Sequence, residues 1–133
     1  MICLDTNIIL RFILNNDPNL SPKAKAIIEE IQQGKIQIYL CLLAISEVIF
    51  TLERSYHLPK VEIIKTLSIL INFPNIKVEN QKLIETSFVY YLDKNISFID
   101  AYHIALMGRK KIKEIYSFDR DFDKFPQIKR LES

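Results

Sequence analysis

Four acidic residues occupy positions that solvated surface charges do not ordinarily take. Asp5 ends a short apolar run in Leu4-Asp5-Thr6-Asn7, and Glu47 sits among apolar residues in Ala44-Ile45-Ser46-Glu47-Val48-Ile49-Phe50. Asp100 lies in Ser97-Phe98-Ile99-Asp100-Ala101-Tyr102, and Asp119 opens an alternating acidic series with Asp121 and Asp123. Carboxylates that gather repel one another unless cations neutralise them, and oxygen donors of this kind suit Mg²⁺ or Mn²⁺. The chemistry such a group could perform is phosphodiester hydrolysis. A cation there makes water a better nucleophile and offsets charge on the attacking and leaving oxygens, with paired ions about 4 Å apart in two-metal enzymes.

Each acid also has an ordinary reading. Asp5 could cap the helix that follows it. Glu47 could be an exposed residue paired with Arg54, although Leu43, Ala44 and Phe50 at helical spacing predict that it is not on a fully wet face. Ser97 and Asp100 have capping-box spacing. The acids at 119, 121 and 123 suit a solvated turn, which leaves open which of the three would act. The joint pattern is harder to dismiss, because it depends on where the chain places these residues.

The elements that must position them are legible as alternating periodicities. Met1 to Leu4 reads as a strand, and Ile8, Ile9, Phe12 and Ile13 follow at helical spacing as far as Asn15. Ser21-Pro22 reads as a helix start, with Ala24, Ile27, Ile28 and Ile31 on one face before Gly34. Ile36, Ile38 and Leu40 alternate as a strand, and Ala44 to Ser55 is helical. A helix opens at Pro59, with Val61, Ile64, Leu67, Ile71 and Leu70 as its face, and ends before Pro74. Ile76 to Val78 is a brief strand, after which Asn80 caps a helix reaching about Leu92. Ser97 caps another that stops at Gly108. Ile112 to Tyr116 and Ile128 to Leu131 read as strands around an acid-rich loop from Ser117 to Phe125. Alternating strands and helices predict a mainly parallel sheet with helices on both faces, and ligands of such sheets bind beyond the carboxyl ends of the strands. On that reading the sheet would bring the four acids to one edge.

The bulk composition fits this expectation. The chain has 133 residues, an apolar fraction of 49% and a charged fraction of 26%, which predicts one domain, residues 1–133, with a real core. Eighteen Lys and Arg against sixteen Asp and Glu give a net charge of +2, too mild to argue for nucleic acid by itself. The two cysteines, Cys3 and Cys41, lie in apolar runs without ligand spacing and read as buried thiols of a reducing compartment. The richest apolar stretch, Ile36 to Phe50, is interrupted by Gln37, Ser46 and Glu47, so a membrane span is not expected and a cytoplasmic location is. His57 and His103 form no nucleophilic set.

Taken together, Leu4-Asp5-Thr6-Asn7-Ile8-Ile9, Ser46-Glu47-Val48, Phe98-Ile99-Asp100-Ala101-Tyr102-His103-Ile104-Ala105 and Ser117-Phe118-Asp119-Arg120-Asp121-Phe122 resemble the PIN-domain ribonucleases, especially VapC-like toxins of toxin–antitoxin pairs. The resemblance spans nearly the whole chain in order. It implies a three-layer α/β/α sandwich with a mainly parallel central sheet of four to five strands, and an endoribonuclease dependent on Mg²⁺ or Mn²⁺. It makes Asp5, Glu47 and Asp100 the core catalytic and metal-binding acids and Asp119 the fourth, with Asp121 as the fallback. Thr6 and Asn7 would support Asp5 from behind, and Ser117 fits the hydroxyl residue often found two positions before the fourth acid. Dimers and an antitoxin peptide covering the groove are implied as partners. Arg11 and Arg54 are candidate contacts to the RNA backbone. A non-catalytic PIN-like module that binds RNA or protein is the alternative. A phosphoacceptor domain fits less well, because the strand Ile76 to Val78 is followed by Glu79 and Asn80 rather than by an acceptor Asp.

Overall fold

In a computed structural model, which describes residues 1–132, the five anticipated strands are present and every strand pair is parallel. The chain divides into two compact units, Met1–Gln81 and Lys82–Ser133.

The first unit holds β1 (Ile2–Cys3), α1 (Thr6–Leu14), α2 (Leu20–Gln32), β2 (Ile38–Leu40), α3 (Leu42–Arg54), α4 (Lys60–Ile71) and β3 (Ile76–Val78). Its sheet runs β1-β2-β3, with Ile2 opposite Ile38 and Ile38 opposite Ile76. Two helices link each pair of parallel strands, because a parallel connection must return the chain to the strand's starting end. Ile9, Ile31, Ile45, Leu52, Ile63 and Leu67 are almost wholly buried here and form the core.

Asp5 caps α1, and Asn15 ends it in a left-handed conformation at φ 47, which Asn tolerates better than most residues. The second helix does not begin at Ser21-Pro22. It starts at Leu20, because the Asp17 carboxylate accepts the amides of Asn19 at 2.9 Å and Leu20 at 2.8 Å and so does the capping. Those two bonds also hold the Asp17 carboxyl below its ordinary value. Ser21 instead donates to the Arg11 carbonyl at 2.8 Å, tying α2 to α1. Pro22 then falls within the first turn, where its missing N–H costs nothing.

Two further expectations change in this unit. Val61 is exposed, and α4 buries Ile63, Ile64, Leu67, Leu70 and Ile71 instead. Cys3 is exposed and Cys41 half-buried, and both are free thiols. They are therefore not two buried thiols, because β1 is an edge strand of its three-stranded sheet.

The second unit holds nearly all of α5 (Gln81–Asp93), then α6 (Phe98–Lys110), β4 (Glu114–Tyr116), a 3₁₀ turn (Arg120–Lys124) and β5 (Lys129–Leu131). β4 and β5 pair with Glu114 opposite Lys129 and Tyr116 opposite Leu131. Phe98 meets Phe88 and Tyr91 with ring centroids 5.8 Å and 6.2 Å apart, which fixes the start of α6 on α5. α6 runs through Gly108 and ends at Lys111, which adopts φ 58. The acid-rich segment after β4 is a 3₁₀ turn rather than an irregular loop, anchored by buried Phe122. Among the described residues no helix is long and apolar enough to cross a membrane.

Candidate metal centre

In the first unit, β1 delivers Asp5 to the carboxyl end of the sheet. Asp5 is exposed and accepts the Asn7 amide at 3.4 Å, so it caps α1. The next residue, Thr6, is buried, and its Oγ1 donates to Glu47 Oε2 at 3.0 Å. This bond joins the first turn of α1 to α3 and sets the direction of the Glu47 carboxylate. A shallow pocket of about 280 Å³ is lined by Asp5, Thr6, Glu47, Cys3 and Cys41 among others.

Glu47 itself is exposed, contrary to the expectation from its neighbours. α3 buries Ala44, Ile45, Val48, Ile49 and Leu52, and turns Leu43 and Phe50 outward with Glu47. Two of the three apolar neighbours of Glu47, Leu43 and Phe50, therefore share its wet face instead of burying it, and only Ala44 faces the core. Among the described residues no ion pair joins Glu47 to Arg54, whose guanidinium lies 5.6 Å from the centre of the Phe50 ring. Arg11 donates to Asn16 Oδ1 at 3.2 Å. Among the described residues the Thr6 hydroxyl therefore backs this pair of acids, and no cationic side chain is ion-paired with either. Replacing Thr6 by Val keeps the shape and removes the donor. We expect a roughly 10-fold loss in cleavage rate, the lower end for losing such a supporting bond, with Thr6→Ser close to wild type. Equal rates for Thr6→Val and wild type would show that this bond does not orient Glu47.

In the second unit, Ser97 accepts the Asp100 amide at 3.1 Å, so the capping geometry anticipated from the spacing is present. The same turn of α6 points the Asp100 carboxylate at two of the acids beyond β4. One carboxylate oxygen each from Asp100, Asp119 and Asp121 lie within 4.8 Å of one another. Burial, and after it the negative charge of Asp119, raise the Asp100 carboxyl above its ordinary value, against the lowering effect of Ser97. These are three hard oxygen donors converging, with a cationic side chain beside Asp121, and they form a donor set suited to a divalent cation of the Mg²⁺ class.

The 3₁₀ turn sorts the three alternating acids. Ser117 Oγ accepts the Asp119 amide at 3.0 Å, and Asp119 Oδ1 accepts the Asp121 amide at 2.9 Å. With three residues per turn, Asp121 comes over Lys124, whose ammonium lies 2.9 Å from it. Asp123 points away and bonds Arg130 Nε at 3.0 Å. Asp121 thus stands beside Asp119 at the cluster, and Asp123 does not. Spacing alone did not single out Lys124 or Arg130. It also gave no role to Glu79, whose Oε1 accepts the Leu42 amide at 2.8 Å and caps α3. An acid placed directly after β3 was the only available signal. His103 is exposed, with its ring 6.2 Å from Phe122.

These two carboxylate groups, on α/β units built from parallel strands, define a class that comparison makes explicit. The family profile of the PIN domain matches residues 2–128, and the chain belongs to that family. It is 24% identical over 121 residues to a VapC ribonuclease of Aquifex aeolicus, covering 91% of this chain and 89% of that one. It is 50% identical to Ribonuclease VapC13 of Mycobacterium tuberculosis over 38 residues, a match that spans only 29% of each chain. A crystal structure of the Mycobacterium tuberculosis toxin VapC20, described as cleaving the Sarcin-Ricin loop, aligns over 93% of this chain at 21% identity with a TM-score of 0.44.

Proposed function

We propose that this chain is a divalent-metal-dependent endoribonuclease and the toxin of a type II toxin–antitoxin pair. The observation that carries the proposal is the convergence of Asp100, Asp119 and Asp121 to within 4.8 Å. Membership of the PIN family and the ribonuclease names of the relatives support it. Asp100, Asp119 and Asp121 would hold Mg²⁺ or Mn²⁺ through their converging carboxylate oxygens, and Asp5 and Glu47 would serve as the acids of the first unit. When bound, the cation supplies Lewis-acid stabilisation of phosphodiester charge and lowers the pKa of water.

The chain's own residues do the positioning. Ser97 and Ser117 hold backbone amides at the bases of Asp100 and Asp119, so those carboxylates need little reorganisation before they act. Thr6 aims Glu47, and Asn7 holds Asp5. The partners on this reading are RNA, a cognate antitoxin protein and a second copy of the chain, in the cytoplasm.

Full-length protein incubated with total RNA should generate discrete fragments with Mn²⁺ or Mg²⁺ and none with excess EDTA. Asp5→Asn should cut at least about 100-fold more slowly while keeping the wild-type circular dichroism spectrum. Cation-independent cleavage, or full activity in Asp5→Asn, would overturn the assigned chemistry. RNA binding without any cleavage would instead favour a non-catalytic binding module.

A further inference from the structure

Arg130 lies in the middle of β5, and only 9% of its side chain is exposed. Its guanidinium donates from Nε to Asp123 Oδ1 at 3.0 Å, and from Nη1 to the Ser117 carbonyl at 3.0 Å and to Glu132 Oε1 at 2.6 Å. Ser117 is the residue from which the acidic turn departs. Its own amide donates to the Leu131 carbonyl at 3.0 Å, and its hydroxyl takes the Asp119 amide. Asp119 in turn takes the Asp121 amide. An unbroken series of hydrogen bonds therefore runs from the guanidinium to both acids that face Asp100. The same side chain draws Asp123 away from them.

We propose that Arg130 is a positioning residue for the cation-binding acids: it clamps the Ser117 carbonyl and Asp123 together and so fixes the turn that presents Asp119 and Asp121 to Asp100. This rests on the reading of those acids as cation ligands. A planar fork is needed, because one group must reach a backbone carbonyl and a carboxylate in different directions at the same time. Lysine keeps the charge but sends its donors from one nitrogen, and so lacks the separate Nε and Nη1 that reach Asp123 and the Ser117 carbonyl here.

The test uses Arg130→Lys and Asp123→Ala in the full chain, with three readouts: amide hydrogen exchange at Asp119 and Asp121, Mn²⁺ affinity by calorimetry, and melting temperature. Arg130→Lys should speed exchange at those two amides and weaken Mn²⁺ binding by about 10-fold, as expected for loss of a partner behind metal ligands. Asp123→Ala removes one acceptor and keeps the guanidinium, so it should move both readouts the same way by a smaller factor. A lower melting temperature with unchanged exchange at Asp119 and Asp121 and unchanged Mn²⁺ affinity would reduce Arg130 to a structural role and overturn the proposal. Should Arg130→Lys fail to fold, Asp123→Ala alone decides by the same criteria. If the wild type binds no Mn²⁺, the ligand reading of the acids fails. The exchange rates then still decide whether Arg130 orders the turn.

Discussion

Asp100→Asn is expected to lower RNA cleavage on the order of 10³-fold and, in the same preparation, to raise the melting temperature of the cation-free protein. The first effect follows from removing a charged oxygen ligand where several kcal/mol of charge stabilisation is supplied. The second follows from electrostatics within one unit. Asp100 is partly desolvated and faces Asp119 and Asp121, so its carboxyl holds a proton more tightly in the folded chain than in the unfolded one. The folded state then binds more protons, and stability declines as pH rises from the ordinary value of 3.8 through the raised one, staying reduced at neutral pH. Asparagine removes that penalty, which predicts a higher melting temperature than wild type at pH 7. The gain should fade as pH drops well below 3.8, where the aspartate is protonated in both states. Differential scanning calorimetry at several pH values, with EDTA present, measures it. A destabilised Asp100→Asn at neutral pH would contradict the account of the cluster as a strained, cation-seeking group.

Phe122→Ala should have the largest effect on stability among the residues that carry the acids. Phe122 is 4% exposed and is the buried anchor of the 3₁₀ turn, packed against α6 through the ring of His103. Truncating a buried phenylalanine costs about 3–5 kcal/mol, from lost transfer energy and from the cavity left behind. In a chain of this size that lowers the melting temperature by roughly 10–20 °C. Asp121 adjoins this anchor in sequence and Asp119 caps the same 3₁₀ turn, so their cation affinity should fall with it. Thermal melts followed by circular dichroism, compared with Phe118→Ala at an 84% exposed position, provide the measurement and its control. Equal melting temperatures for the two variants would show that Phe122 does not hold the turn.

Much of this architecture is legible in the residues because the relevant signals are local. Leu4-Asp5 marks a strand end and a helix cap in two letters; the cap is found at Asp5, and the strand ends one residue earlier, at Cys3. Ser97 and Asp100 form their cap because the interaction spans three residues of one chain segment. Where side chains act across segments, spacing is silent. Glu47 was expected to be sheltered because its helical neighbours are apolar, yet a helix has two sides and α3 buries the stripe from Ala44 to Leu52. Ser21-Pro22 was expected to start α2, but Asp17 reaches forward and captures the first amides. Asp119, Asp121 and Asp123 were indistinguishable in sequence, because alternation gives no preference until the chain winds into a 3₁₀ turn. What separates them is Arg130, drawn from a strand that follows the turn.

The central claim is that clustered carboxylates of this chain bind a divalent cation. Calorimetric titration of Mn²⁺ into the full-length, EDTA-stripped protein tests it most directly. The account predicts saturable binding that weakens as pH falls, because protons and cation compete for Asp100, and that disappears in Asp100→Asn. Heats no larger in the wild type than in Asp100→Asn would contradict it.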